Sequence, residues 1–78
     1  MTLTVYSPTK TLYSGEVTLC EVPGGRGRFT VLPGHDSIVS TLVAGEVRYN
    51  ADGSEQRLAI SGGYVKVKDD VVTICAKG

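Results

Sequence analysis

The sequence has no tryptophan, one phenylalanine, one histidine and two cysteines in 78 residues, and its eight Lys and Arg are matched by eight Asp and Glu. Each shortage excludes something. Zero formal net charge removes the cationic excess that favours binding to nucleic acids or anionic membranes. Two cysteines are too few for a disulfide scaffold, and the wide spacing of Cys20 and Cys75 fits no zinc or redox pair, so both are expected to be reduced structural thiols. No His, Cys or acidic cluster has metal-ligand spacing, and no cofactor is expected. The start, Met1-Thr2-Leu3-Thr4, lacks the cationic and apolar regions of a signal peptide, and no run approaches the roughly 18 apolar residues of a membrane helix, so no membrane insertion is expected. The length suits one small domain over residues 1–78. A chain this short buries only about 60% of its unfolded surface, so a partner surface would add to its stability.

What is present is a rhythm of short apolar stretches, mostly with period two, separated by Gly, Pro, Asp and Asn. That pattern predicts short antiparallel strands and no long helix. Strands are expected over residues 2–7, 16–22, 28–32, 38–43, 46–50, 55–60, around 64–68, and 71–76. Asn50-Ala51-Asp52-Gly53 and Asp69-Asp70 carry the residues that tolerate the positive φ of tight hairpins. Strands with one apolar face must pack sheet on sheet, so the predicted fold is all-β, a small flattened β-sandwich or barrel of about eight to ten short, mostly antiparallel strands. Alternation predicts a core of Val5, Cys20, Val22, Val31, Leu42, Val47, Leu58, Ile60, Val65, Val67, Val72 and Ile74. Cys75 is expected to face away from Ile74 and Ala76.

Little here could carry catalysis. His35, Asp36 and Ser37 crowd into one turn, but a triad draws its members from different elements, and neighbouring residues point apart. A turn cap formed by Asp36 or Ser37 is the simpler reading. Gly24-Gly25-Arg26-Gly27-Arg28-Phe29 could bare backbone N–H groups for a phosphate, yet phosphate loops feed a helix N-terminus and Phe29 to Leu32 reads as strand. The basic-glycine-aromatic run is also faintly like an RNA-stacking strand, but it lacks a second, properly spaced aromatic strand. It is best read as a hairpin turn.

Three segments together resemble the N-terminal β-sandwich domain of the epsilon subunit of F-type ATP synthases. They are Thr11 to Val17, Val22 to His35, and Ser61-Gly62-Gly63-Tyr64-Val65-Lys66-Val67, with Leu32-Pro33-Gly34-His35 lying 26 residues before Ser61. The resemblance spans the whole chain. It implies a non-catalytic central-stalk subunit that holds the gamma subunit on the membrane c-ring, one copy per complex, at the cytoplasmic face of a bacterial inner membrane. It further implies gamma contacts at Ser7, His35 and Ser40. The polar loops of the c-ring would meet Arg26, Gly27, Arg28 and Phe29, with Arg28 at the hairpin tip. The isolated chain is expected to be a monomer, with no nucleic acid as partner.

Two departures from the family pattern stand out. Arg26 and Arg28 occupy positions where relatives often carry acidic or polar groups, which leaves two readings open: carboxylates on the ring, or bonds to loop carbonyls and lipid phosphates. Ser37-Ile38-Val39-Ser40 replaces a proline-leucine version of the loop. Only Lys77 and Gly78 follow the last expected strand, so the helical pair that gives relatives ATP-sensitive inhibition is not expected from this chain. The alternative function is a free-standing ligand-binding β-sandwich, which would require a concave pocket with convergent polar groups.

Overall fold

The computed structural model describes residues 1–77. Seven strands form one hydrogen-bonded sheet: β1 Thr2–Tyr6, β2 Thr11–Glu16, β3 Leu19–Gly24, β4 Gly27–Val31, β5 Ile38–Ala51, β6 Ser54–Lys68 and β7 Val71–Ala76. Their spatial order is β2-β1-β7-β6-β5-β3-β4, and every pairing is antiparallel except β1 with β7. Among the described residues, no helix is long and apolar enough to cross a membrane.

The sheet becomes a sandwich because its two longest strands fold over. In β5 the inward residues are Ile38 and Leu42 in the first half but Val47 and Tyr49 in the second, and in β6 they pass from Leu58 and Ile60 to Val65 and Val67. The change of phase falls at Val43-Ala44-Gly45 and at Ser61-Gly62-Gly63, where pairing lapses at Ala44 and Ser61 while the register is kept, Val43 opposite Gly62 and Gly45 opposite Ile60. Because the register is the same on both sides, the two strands bend together at this level and exchange faces together. Expected breaks at Gly45 and Gly62 are therefore bends within continuous strands, and this accounts for seven strands where eight to ten were expected. One half of the sandwich contains β2, β1, β7, the end of β6 and the start of β5. The other contains β4, β3, the end of β5 and the start of β6.

Other boundaries also moved. Residues 16–22 do not form one strand: Val17 and Thr18 turn the chain between β2 and β3. The Val17 N–H donates to the Met1 carbonyl at 2.8 Å, and the Thr18 N–H donates to the Asn50 carbonyl at 3.1 Å. β2 escaped the alternation test because, as an edge strand, it leaves Thr11, Leu12, Ser14 and Glu16 exposed. β3 continues through Pro23 because the β3–β5 register shifts between Glu21 and Gly24, a bulge where no ladder donor is required. Gly45 lies against Pro23, and a Cβ on it would stand 3.0 Å from the proline ring, so the bend in β5 is also a close crossing.

The core draws on both halves: Leu3, Val5, Leu42, Val65, Val67, Val72, Ile74 and Ala76 from one, Val17, Cys20, Val22, Val31, Val47, Tyr49 and Ile60 from the other. Leu58, expected inside, is only half-buried against this cluster; it stands opposite Val47 in the arm of the β5–β6 hairpin that ends in the Asp52-Gly53 turn. Across the mouth of the sandwich, the rings of Tyr13 and Tyr49 meet at a centroid distance of 4.4 Å, inclined by 41°. Such tilted pairs add ~0.5–1.5 kcal/mol beyond burial. Both two-residue hairpins use aspartate at positive φ, Asp52 (52°) with Gly53 (75°) and Asp69 (51°) with Asp70 (61°), the geometry that matches strand twist. Asp70 then reaches across to accept the Gly34 N–H at 2.7 Å, fixing the loop before β5.

Cys20 is fully buried, and burial pushes its thiol up to about 12; Cys75 is half-buried on the outer side of β7, and both are free. Two results should follow. At pH 8 a thiol reagent should modify Cys75 in the native protein and reach Cys20 only after denaturation, because the attacking species is the thiolate. Gly63 has φ 139°, and a Cβ there would overlap the Cys75 carbonyl, whereas at Gly53 the space is open. Gly63→Ala should cost more than about 3 kcal/mol or prevent folding, and Gly53→Ala only about 1–2 kcal/mol, as read by urea titration.

Candidate functional site

The two outer faces of the sandwich differ in chemistry. On the half built from β3, β4 and the distal part of β5, alternation sends Glu21, Arg28, Glu46 and Arg48 outward, with Glu55 and Arg57 following from β6. These groups close into a lattice. Arg28 donates to Glu21 Oε1 from Nε (3.1 Å) and Nη2 (2.9 Å), and Nη2 also donates to the Glu46 carbonyl at 2.8 Å. Arg48 pairs with the other Glu21 oxygen at 3.2 Å, and Arg57 pairs with Glu55 at 3.0 Å and Glu46 at 3.5 Å. Charges satisfied in this way offer little to a partner.

The opposite outer face is mainly apolar and hydroxylic, with Lys66 and Lys68 of β6 standing between Val39 and Val71 toward the β6–β7 turn. Register aligns Tyr6, Cys75, Tyr64 and Thr41 in one row across β1, β7, β6 and β5, flanked by Val39 and Val43 on β5 and Val71 on β7. Tyr6, Tyr64, Val39, Val43 and Val71 are all exposed, Val39 to 71%. Hydrogen bonding to Cys75, and secondarily its charge, hold the Tyr64 phenol above its ordinary pKa. An open groove of about 410 Å³ runs along it, lined by Tyr6, Ser7, Pro8, Tyr64 and Cys75 among others. A contiguous apolar surface of this kind marks an interaction site.

Of the residues singled out in the sequence, Ser7, His35 and Ser40 belong to this half, and Arg26 to Phe29 to the β3–β4 hairpin of the other. Ser7 follows β1 and lines the tyrosine groove; its hydroxyl donates to the Lys10 carbonyl at 3.1 Å. Ser40 lies on β5, its hydroxyl bonded to the Thr41 carbonyl at 3.0 Å, and lines a second groove of about 490 Å³ beside the β3–β4 hairpin. His35 lines neither groove. It is half-buried in the loop before β5, with Nδ1 2.7 Å from the Asp36 carbonyl, and its N–H closes the Leu32–His35 turn by donating to the Leu32 carbonyl at 3.0 Å. Arg26 and Gly27 are at the hairpin tip and line the second groove together with half-buried Phe29.

Arg28 differs from its expected place. It lies beside the tip, but its guanidinium turns away into the lattice over Glu21 and Glu46. Sequence alone did not show this pairing, because it depends on the register that sets Pro23 opposite Arg28 and on the bulge at Pro23. The tyrosine row was missed for a similar reason: Tyr6 and Tyr64 stand far apart in sequence and are brought together only through β7. The two arginines at the tip should therefore separate in their effects. Arg28→Ala should lower stability by up to about 1 kcal/mol, roughly 4–8 °C in melting temperature, while Arg26→Ala leaves it unchanged; scanning calorimetry of the two variants decides this.

Comparison with known proteins agrees with this architecture. The sequence profile described as ATP synthase, Delta/Epsilon chain, beta-sandwich domain matches residues 1–78. The ATP synthase epsilon chain of Desulfitobacterium hafniense is 39% identical over 96% of this chain and 57% of its own length. That of Ruthia magnifica is 43% identical over 90% of this chain and 51% of its own length. The chain thus spans just over half the length of these curated relatives. A chain in the cryo-EM structure of the Euglena gracilis mitochondrial ATP synthase, comprising OSCP, F1 and c-ring, superposes with a TM-score of 0.88 at 27% identity, over 95% of this chain and 48% of that one. A chain of the Tetrahymena thermophila mitochondrial ATP synthase central stalk and c-ring shares the fold, with a TM-score of 0.83 at 13% identity, over 99% of this chain and 63% of that one. Sequence and fold together place the chain in the family of ATP synthase delta/epsilon chain β-sandwich domains.

Proposed function

We propose that this chain is a non-catalytic rotor component of an ATP synthase, joining the gamma subunit to the c-ring so that ring rotation is passed on as torque. One copy would sit in each complex, peripheral to a bacterial inner membrane on its cytoplasmic side. The observation that supports this most is the division of the outer surface into a face whose charges are paired with one another and a face with an exposed row of tyrosine, valine and hydroxyl side chains, bordered by Lys66 and Lys68. Torque transmission requires a rigid body with a broad apolar contact, since a neutral surface binds by excluding water and is little weakened by salt. Gamma would cover the row from Tyr6 to Thr41, with Ser7 at its edge. His35 and Ser40 belong to the same half of the sandwich, and both are already bonded to backbone within their own segments. The β3–β4 hairpin, with Arg26, Gly27 and Phe29 around its groove and Arg28 beside it, would rest on the polar loops of the ring.

The assignment of gamma to the tyrosine face is tested by Tyr64→Asp, which changes an exposed side chain and should leave the circular dichroism and melting temperature of the isolated chain unaltered. Burying an unpaired carboxylate in that contact should reduce retention on immobilised gamma at least tenfold. Lys68→Asp, placed on the same face near the β6–β7 turn, serves as the charge control and should have a smaller effect. Equal retention of wild type and Tyr64→Asp on gamma would refute the assignment.

A further inference from the structure

The β6–β7 hairpin closes through Asp69 and Asp70, both at positive φ (51° and 61°), a geometry that asparagine or glycine would meet as well. The turn therefore requires a left-handed residue at position 70, not a carboxylate. Asp70 nonetheless bonds through both its main chain and its side chain. Its carbonyl accepts the Thr2 N–H at 3.0 Å, at the start of the parallel β1–β7 pairing. Its Oδ1 accepts the Gly34 N–H at 2.7 Å, from a segment 36 residues upstream.

The segment that donates this bond, Pro33-Gly34-His35-Asp36-Ser37, has little else to hold it. All of it except half-buried His35 is exposed, and so is Leu32 before it. The His35 N–H bond to the Leu32 carbonyl and the approach of His35 Nδ1 to the Asp36 carbonyl shape the turn without tying it to the sandwich. Ladder pairing begins only at Ile38, opposite Val67. Among the described residues, Gly34 to Asp70 is the one hydrogen bond from residues 33–37 to another segment of the chain. A stretch with few buried contacts opens locally at small cost, so a single charge-assisted bond decides how often it holds its ordered geometry.

We propose that Asp70 is a positioning residue for gamma attachment, holding the loop of residues 33–37 so that His35 is presented in one fixed place. This inference rests on the gamma contact at His35 within the function proposed above. Only chains whose loop is already in the docking geometry bind without first ordering it, so loss of the tie lowers apparent affinity by the fraction that remains competent. Because Asp70 also takes part in joining β1 to β7, the loop is registered against the half of the sandwich that bears the tyrosine row. The separate parts of the gamma surface thereby keep a fixed relation to one another.

The test uses the whole chain with gamma from the same organism. Asp70→Gly keeps the turn and removes the acceptor, whereas Asp70→Asn keeps both. In the isolated chain Asp70→Gly should retain its circular dichroism while the Gly34 amide, followed by NMR, exchanges about tenfold faster, and affinity for immobilised gamma should fall about tenfold. Asp70→Asn should recover most of both. In a His35→Ala background Asp70→Gly should weaken gamma binding no further, since residues that act through one contact are not additive. Equal gamma binding by wild type and Asp70→Gly, or additive losses with His35→Ala, would overturn the inference and leave the rotor function standing. Unfolding of Asp70→Gly would overturn it as well, because the carboxylate would then hold the sandwich rather than the loop. Equal loss of binding in Asp70→Asn, with its Gly34 amide still slow to exchange, would overturn it in favour of a direct charge contact between Asp70 and gamma. Wild-type chain that gamma does not retain would overturn the gamma attachment and this inference with it.

Discussion

Two strands that must each serve both layers of one sandwich constrain the rest of this molecule. β5 and β6 pair along almost their whole length, so neither can bend unless the other bends at the same level. Both carry glycine there. Gly62 and Gly63 supply φ values of 147° and 139°, and Gly45 lets the proline of β3 press against the fold line. The sheet can then close on itself, with the β5–β6 register kept across the bend and each face of each strand exchanged. Everything on the outside inherits its place from that exchange: the residues that would have continued the charged face in β5 are replaced beyond the bend by Val39, Thr41 and Val43.

Division of labour between the faces is a consequence of pairing energetics as much as of composition. Neighbouring strands set Glu21 opposite Arg48, so the charges of that face neutralise one another at the surface, where each pair is worth little but the set leaves no net field. Membership of the delta/epsilon chain family fits such a body, whose relatives occur in multi-subunit synthases. The tyrosine face lacks comparable internal partners.

Period two revealed the core, because a strand with one buried side must alternate; Val65 and Val67 against Lys66 and Lys68 left no choice of face. The same rule failed at Gly45 and Gly62, where a change of phase looks identical to a chain break until the partner strand is known. β2 was invisible to it, since this edge strand sends only Tyr13 toward the core, with glycine as the next residue on that side, and so carries no apolar alternation to read. Of the candidate surfaces, the hairpin tip was legible from its glycines, and Ser7 and Ser40 fall in grooves as surface residues should. What could not be read was the destination of the Arg28 side chain or the meeting of Tyr6 with Tyr64. Both depend on long-range register, which a single sequence encodes only through the sum of all its pairings.

The parallel pairing of β1 with β7 bears on how the protein comes to fold. Most of its ladders join neighbours in sequence and can zip from a tight turn, but Thr2 meets Val71 and Tyr6 meets Cys75, almost the whole described chain away. Such a contact carries a heavy loop-closure cost and a high contact order. During synthesis the β1–β2 hairpin therefore has no place in the sheet until β7 has left the ribosome, and Leu3 and Val5, fully buried at the end, remain uncovered until then. The sandwich is closed by its oldest and youngest segments together, so cooperativity is concentrated in a single late event.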